Sequence, residues 1–508
     1  MILSKDAEEE GMRIEETCVR QWEVNKNISA GGRSFPCRMI TEELPFFGED
    51  GLAATAFTYT YMRTDEDSES RPVIFAYNGG PGSSCVWIHL GLLGPMRVKM
   101  RPGEAGDIEA EVTPSVSGPY GLEENPYCIL DEADVVLLDP PGCGFGKVAD
   151  EQAAKECFGI RQDAGCTAQI IERWLARYQR FSSPKYLLGE SYGTIRSCML
   201  LRELMGGPMS VSRRLRAIPV DGVIMMGTAL NLEPIGNTYP VEPCLLQLIG
   251  MTASRLYHRP LSEEEAEEWR QAGLFVPDQE EGWEGRLADA VWTFAGTRYL
   301  PALFQGNALE ETKKQEMTRC LSLLTGVEPG WFEKHGLALP ADVFTKECLK
   351  QEGLEMGFYD SRYTMQAYAG SSFLDPVADD PAMGQYTPVY MGAMNGEMKE
   401  YLGIRAEVSD SCCGIDFAVN GQWDYGTPEK PEQCLEAAMR RNKGLRVLFM
   451  TGLYDLVTPP GAVRYLVSHQ QLPKERIVIR EYASGHMPYM GKESAKKVSE
   501  DLRSFIRG

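Results

Sequence analysis

The sequence predicts a doubly wound, mostly parallel α/β sheet that a largely helical insertion interrupts late, and three observations lead there. Short apolar and β-branched runs recur without alternating with polar residues, as strands buried on both faces of a parallel sheet require. Stretches of helical spacing separate them, which is the rhythm of βαβ units. That rhythm lapses between about residues 235 and 440, where the text turns helical and polar. The chain has 508 residues, 43% of them hydrophobic and 24% charged. Single cores stop growing near ~300 residues, so the expected organisation is a core in two parts, residues 1–234 and 441–508, with a cap at 235–440.

In chain order, Phe57–Met62 alternates like the outer strand of a hairpin. Val73–Tyr77 follows it across the acidic run Asp65-Glu66-Asp67, which reads as a solvated hairpin loop. Val135–Leu138, Tyr186–Leu188, Val223–Met226, Val447–Met450 and Ile477–Ile479 are the unalternating runs, and Ala164–Tyr178 and Ile195–Met205 have helical spacing. Within the insertion, Ser262 followed by Glu265 has the form of a capping box, which makes Glu263-Glu264-Glu265 the first turn of a helix.

Composition narrows the partners. The net charge is −22 and no basic stripe is interleaved with aromatics, so nucleic acid and anionic membrane are not expected. No run approaches the ~18 apolar residues of a membrane span. The opening MILSKDAEEEGMRIEE lacks the basic flank and apolar stretch of a secretory signal. Fourteen cysteines are scattered without a Cys-x-x-Cys pair or a Cys/His cluster, which predicts reduced thiols in a cytoplasm and no metal.

Gly189-Glu190-Ser191-Tyr192-Gly193 fits G-x-S-x-G directly after one predicted strand and before a predicted helix. That context is a nucleophile elbow, a tight turn that lifts a serine hydroxyl out of the sheet. The bare pattern is a weak signal, and a serine that merely makes a tight turn is the alternative. A serine needs a base, usually a histidine held by a carboxylate. With this kind of elbow the acid follows one late strand and the histidine the next. Asp455 in TGLYDLVTPP and His486 in ASGHMPYM occupy those places. Of the five histidines, His89 comes too early, His258 and His335 fall in the insertion, and His469 lies in a helical stretch. An ordinary turn aspartate remains the other reading of Asp455.

Asn78-Gly79-Gly80-Pro81-Gly82-Ser83-Ser84 follows the strand Val73–Tyr77. It is either a surface turn or a loop whose glycines bring backbone N–H groups to the top of the sheet. In the second case Gly80 N–H and Tyr192 N–H are the expected oxyanion donors. Asp139–Phe145 closes the next strand end and is expected to line the pocket. Cys85, Cys143 and Cys198 lie near these motifs, either as thiols that make activity sensitive to thiol reagents or as buried, inert ones.

Together and in this order, NGGPGSS, LLGESYG, TGLYDLVTP and SGHM resemble the serine carboxypeptidases, which have the α/β-hydrolase fold. The likeness runs from about Phe57 to the C-terminus and includes NPYCILDEADVVLLDPPGCGFG, SPKYLLGESYGTIRS and MGFYDSR. GSSCVWIHLGLLGP is most similar to bacterial members. The resemblance implies hydrolysis of the C-terminal peptide bond through an acyl-enzyme, a peptide with a free C-terminus as partner, and no metal or organic cofactor. It also implies that Asn78, Glu190 and the Gly79 N–H hold the substrate's terminal carboxylate. Two carboxylates sit together only if one is protonated. Peptide hydrolysis is therefore expected to favour acidic pH, and substrates lacking the free carboxylate are not. Two positions depart from the pattern: Ala76 stands where many members have Trp, and Leu92 where many have Glu. The alternatives are an acyltransferase or esterase on the same triad, and a non-catalytic peptide-binding protein.

Overall fold

The computed structural model describes residues 20–48, 51–99, 118–230, 241–278, 280–367, 375–404 and 411–508. The amino-terminal stretch read for a signal, and the first residues of the expected insertion, lie outside the described residues.

Nine strands form the path of the main sheet: β1 (Gln21–Ala30), β2 (Arg33–Gly48), β3 (Gly51–Arg63), β4 (Val73–Tyr77), β5 (Asp134–Asp139), β6 (Lys185–Glu190), β7 (Gly222–Met226), β8 (Arg446–Gly452) and β9 (Ile477–Tyr482). Their spatial order is β1-β2-β3-β5-β4-β6-β7-β8-β9, and the two-residue strand Lys147–Val148 pairs with β3 off that path. The first three strands and β5 pair antiparallel. From β5 through β9 every pairing is parallel.

All seven expected strand runs lie in this sheet, but one pairing differs from expectation. β3 and β4 do not form a hairpin: β5 lies between them, in register Phe57↔Asp139 on one side and Val73↔Asp134 on the other. The acidic run is thus a connection between strands that are not neighbours. The head of β5 explains the insertion, because buried Asp134 accepts from Arg63 N (3.0 Å), Arg71 Nε (2.8 Å) and Arg180 Nη1 (2.6 Å). One carboxylate therefore ties together the ends of β3, β4 and the segment entering β6. A buried carboxylate is tolerated only with such partners.

The longer helices fill the connections. Between β5 and β7 come α1 (Ile160–Arg177) and α2 (Tyr192–Met205). Between β7 and β8 come α3 (Val241–His258), α4 (Glu263–Gln271), α5 (Trp283–Phe294), α6 (Glu311–Thr325), α7 (Met383–Ala393) and α8 (Pro431–Arg441). α9 (Pro460–His469) joins β8 to β9, and α10 (Lys492–Arg507) follows. Among the described residues no helix is long and apolar enough to cross a membrane.

Alternate residues of the central strands feed two cores, as the strand period of two dictates. Val73, Phe75, Tyr77, Leu187, Met225 and Phe449 pack with residues of α1, α2, α8 and α9. Ile74, Ala76, Leu188, Met226 and Met450 pack with α7, α10 and the segment Cys85–Leu93. A third core gathers Leu248 of α3, Trp269 of α4, Leu287 and Val291 of α5 and Leu321 of α6 around Leu453, Tyr454 and Leu456.

The stretch expected as one cap, residues 235–440, is therefore divided. α3–α6 form the third core, α7 covers one face of the sheet, and α8 covers the other. The stripe Cys434, Leu435, Ala438 and Met439 explains the last of these, since it turns one face of α8 into the core shared with α2. The capping box forms as expected: Glu265 N donates to Ser262 Oγ (3.2 Å) and Ser262 N to Glu265 Oε2 (2.9 Å).

From β4 the chain moves to one side to make β5, and from β6 it moves to the other to make β7. Their carboxyl ends part at this switch of direction, where open α/β sheets bind ligands. Asn78–Ser84 leaves β4 there, and Ser191 leaves β6.

Candidate active site

Ser191 joins β6 to α2 at φ 58°, ψ −126°, a conformation that costs a non-glycine residue strain. The surroundings fix it. Ser191 N donates to Met226 O (2.9 Å), and Thr194 Oγ1 donates to Ser191 O (2.7 Å) while accepting from Ala229 N (3.0 Å). The first glycine of G-x-S-x-G is a steric necessity and the second is tightly constrained. A Cβ at Gly189 would collide with Gly193 O and lie 2.7 Å from Ser197 Oγ, and one at Gly193 would lie 3.0 Å from Tyr77 O.

The Asn78–Ser84 loop closes on this elbow. A Cβ at Gly79 would collide with Tyr192 N, and Gly80 has φ 97°, which favours glycine. Gly80 and Tyr192 therefore stand at the same end of the sheet. The loop is not a free surface turn, since Ser84 N donates to Gly414 O (3.0 Å) and Asp416 N to Gly82 O (2.9 Å). Beneath it, buried Arg196 pairs with Asp163 (2.8 Å) and donates from Nη1 to Asn78 O (2.6 Å), which links α2 to both α1 and the loop.

Asp455 is fully buried in the turn after β8. Its Oδ1 accepts from Val457 N and Thr458 N, both at 2.8 Å, and its Oδ2 accepts from Thr458 Oγ1 and from His486 Nδ1, the latter at 2.9 Å. With Nδ1 donating to a carboxylate, Nε2 is left as the basic nitrogen. His486 is further held by its N–H, which donates to Tyr359 O (2.7 Å), and by the Tyr359 ring, edge-on at 5.5 Å. Burial opposes charging of His486. The Asp455 charge and hydrogen bond, with the Glu190 charge, outweigh it and lift the imidazole above its ordinary pKa.

Ser191 and His486 flank the end of β7. Met226 O holds Ser191 N, and a Cβ at the next residue, Gly227, would lie 2.9 Å from His486 Cε1. Ser191 Oγ is not hydrogen-bonded to His486 in this structure; catalytic contacts of this kind tighten in substrate complexes.

Asn78 and Glu190 meet directly, Asn78 Nδ2 donating to Glu190 Oε1 at 2.5 Å. Ile88 N donates to Asn78 Oδ1 (3.2 Å), so the amide can face Glu190 only with its NH2. Burial pushes Glu190 up to about 7, against the opposing influence of His486, Tyr489 and Asn78. Glu190 is thus largely neutral in mildly acid solution.

Several neighbours escaped the sequence reading. Thr458 stands three residues after Asp455, the spacing at which an aspartate side chain caps the following N–H groups. Tyr359 lies in MGFYDSR, where Arg362 pairs with Asp360 (2.6 Å) and donates to Ala483 O (2.9 Å), tying that segment to the His486 loop. Trp423 packs edge-on against Tyr192 at 5.3 Å and has no sequence signal near the motifs. Cys85, Cys143 and Cys198 are buried, and burial pushes each thiol up, so the inert reading holds for them. His89 is buried against Tyr61 Oη (2.6 Å) and pulled down to about 3 by burial. His335 and His469 stack on Trp331 and Tyr465. Among the described residues no three His, Cys, Asp or Glu side chains are gathered as metal ligands.

A profile of the serine carboxypeptidase family matches residues 49–498, most of the chain. The chain belongs to the serine carboxypeptidase family. This serine carboxypeptidase relative is 26% identical to serine carboxypeptidase-like 8 of Arabidopsis thaliana over 249 residues, 42% of this chain and 54% of that protein. It is 24% identical to serine carboxypeptidase-like 25 of the same plant over 244 residues, 46% of each. The chain spans about half the length of these curated relatives. Among solved structures it is similar to Kex1(delta)p, a prohormone-processing carboxypeptidase from Saccharomyces cerevisiae. That match has a TM-score of 0.51 at 13% identity and covers 92% of this chain and 91% of that one, which shows a shared α/β-hydrolase fold.

Proposed function

We propose that this chain is a serine-type carboxypeptidase that releases the C-terminal amino acid of a peptide through an acyl-enzyme. Ser191 Oγ attacks the scissile carbonyl carbon while His486 Nε2 takes its proton, and Asp455 holds the imidazole in the tautomer that leaves Nε2 basic. Gly80 N–H and Tyr192 N–H donate to the developing oxyanion. As the intermediate collapses, His486 returns the proton to the departing amine. Water, deprotonated by the same His486, then attacks the acyl-enzyme and frees Ser191.

The observation that carries the exopeptidase reading is the buried Asn78–Glu190 pair, electrostatically coupled to His486. A neutral Glu190 carboxyl donates to a substrate carboxylate that an ionised one repels. The Asn78 amide and Gly79 N–H complete the cradle.

The test is mass spectrometry of an N-blocked peptide acid and of its C-terminal amide, each incubated with the protein at about pH 5 and about pH 8. Stepwise loss of C-terminal residues from the acid is expected, with its rate relative to the amide greater at the lower pH. An untouched peptide beside an ester that is cleaved would leave a hydrolase without exopeptidase character. Adding an alcohol acceptor to the same reaction separates hydrolysis from acyl transfer.

Glu190→Gln gives the sign of the pH effect. In the wild-type protein, kcat/KM for the peptide acid falls as Glu190 ionises above about 7. Glutamine cannot ionise, so that alkaline fall should disappear. Below about 7 the Glu190 carboxyl is already neutral, so His486 keeps its surroundings and the acid limb should stay where it is. A kcat/KM profile measured from about pH 4 to 9 checks both limbs, and a retained alkaline fall would remove Glu190 from the site.

We also propose a reducing compartment such as the cytoplasm, which the thirteen described cysteines support by being unpaired. Peptide maps of the protein from its source, with and without reductant, should agree; a linked pair would overturn this.

A further inference from the structure

Resting on that reading, we propose that Tyr489 is a specificity-determining residue, whose hydroxyl donates to the substrate's terminal carboxylate beside the proton carried by Glu190. Two buried polar atoms that the triad does not use lead to it. Glu190 Oε2 and Tyr489 Oη make no hydrogen bond of good geometry among the described residues, although both side chains are almost completely enclosed and lie close enough to influence each other. Leaving one such atom unpaired is unfavourable, and native proteins rarely do so without a role for it. Here a donor and an acceptor lie as neighbours without a well-formed bond, the phenol steadying the Glu190 carboxylate and the Glu190 charge holding the phenol protonated.

The two atoms are chemically complementary to an incoming carboxylate. Burial and the Glu190 charge keep the Tyr489 phenol protonated, so it is a donor at every working pH. Its ring is held over the helical segment after the glycine loop: a Cβ at Gly91 would collide with Tyr489 Cε2 and lie 2.8 Å from Tyr390 Oη. Tyr390 is already engaged, its hydroxyl donating to Met490 Sδ at 3.4 Å. Tyr489 also stands three residues after His486, in the same loop, so the group that reads the terminus is fixed to the group that moves the proton. A tyrosine hydroxyl supplies a donor without adding charge.

The test compares an N-blocked dipeptide acid with its amide as substrates of the wild-type protein, Tyr489→Phe and Gly91→Ala. A hydrogen bond to a charged group corresponds to roughly a tenfold to hundredfold effect. Tyr489→Phe should cut the acid-to-amide ratio of kcat/KM by that factor, chiefly through KM. Gly91→Ala should lower the same ratio by displacing the ring while keeping the hydroxyl. A merely structural tyrosine would lower turnover of both substrates alike and leave the ratio unchanged. A wild-type protein that prefers the acid, with the ratio retained in both variants, overturns the role of Tyr489 alone. A wild-type protein with no preference for the acid overturns the exopeptidase reading and this inference with it. If Tyr489→Phe does not fold, the Gly91→Ala ratio decides the matter.

Discussion

Ser191→Ala is expected to lower kcat for a peptide acid by about six orders of magnitude, the loss seen when a nucleophile of this type is removed. The structure makes this a clean substitution. Its backbone bonds to Met226, and those its carbonyl accepts at Thr194, do not involve Oγ, so the strained elbow persists without the hydroxyl. Thermal unfolding should shift little while single-turnover kinetics lose the acylation step. Peptide binding, followed by calorimetry, should survive, because the proposed carboxylate cradle lies on Asn78, Gly79 and Glu190. Activity retained within about a hundredfold would place the nucleophile elsewhere.

Asp455→Asn should cost about four orders of magnitude in kcat, by reversing a tautomer and not by removing a charge alone. Oδ1 accepts from two backbone N–H groups, Val457 and Thr458, both at 2.8 Å. The asparagine oxygen must take that place, which puts NH2 where Oδ2 stood, facing His486 Nδ1. Nδ1 is then compelled to accept, the proton moves to Nε2, and the nitrogen that should receive the serine proton is already occupied. Nitrogen NMR of the His486 ring checks the tautomer directly. A variant of normal kcat would show that His486 does not depend on Asp455.

Most of the legible parts of this fold were those where burial acts on both faces at once. Val135–Leu138 and Val223–Met226 have no polar face to hide the pattern, and both are strands. β1, with its text QWEVNKNISA, buries Trp22, Ile28 and Ala30, half-buries Val24 and Lys26 and exposes Glu23, Asn25, Asn27 and Ser29. A half-buried edge strand of that composition gives only a faint alternation, and it was not expected. Strand order was hidden for another reason. The place of β5 between β3 and β4 depends on Asp134 meeting Arg63, Arg71 and Arg180, contacts that no local window contains.

The site follows the same division. Ser191, Asp455 and His486 each follow a strand that could be recognised, and order along the chain places such residues. Asn78, Gly79 and Glu190 were expected only from resemblance, and the structure brings Asn78 against Glu190 at 2.5 Å. Tyr489 had no signal of its own. An aromatic residue in a loop reads as packing until the atoms around its hydroxyl are known.

The acid turn has a further consequence. Leu453, Tyr454 and Leu456 surround Asp455 in sequence, yet their side chains belong to the core built by α3–α6. A Cβ at Gly250 of α3 would lie 3.0 Å from Leu456 Cδ2 and 3.4 Å from Asp455 O. The insertion is consequently not an interchangeable module. Grafting α3–α6 from a relative to retune the proposed specificity would also reset the floor on which the Asp455 carboxylate rests. Chimeras made that way should forfeit turnover before they gain a new preference, unless α3 and the turn at residues 453–456 are transplanted together.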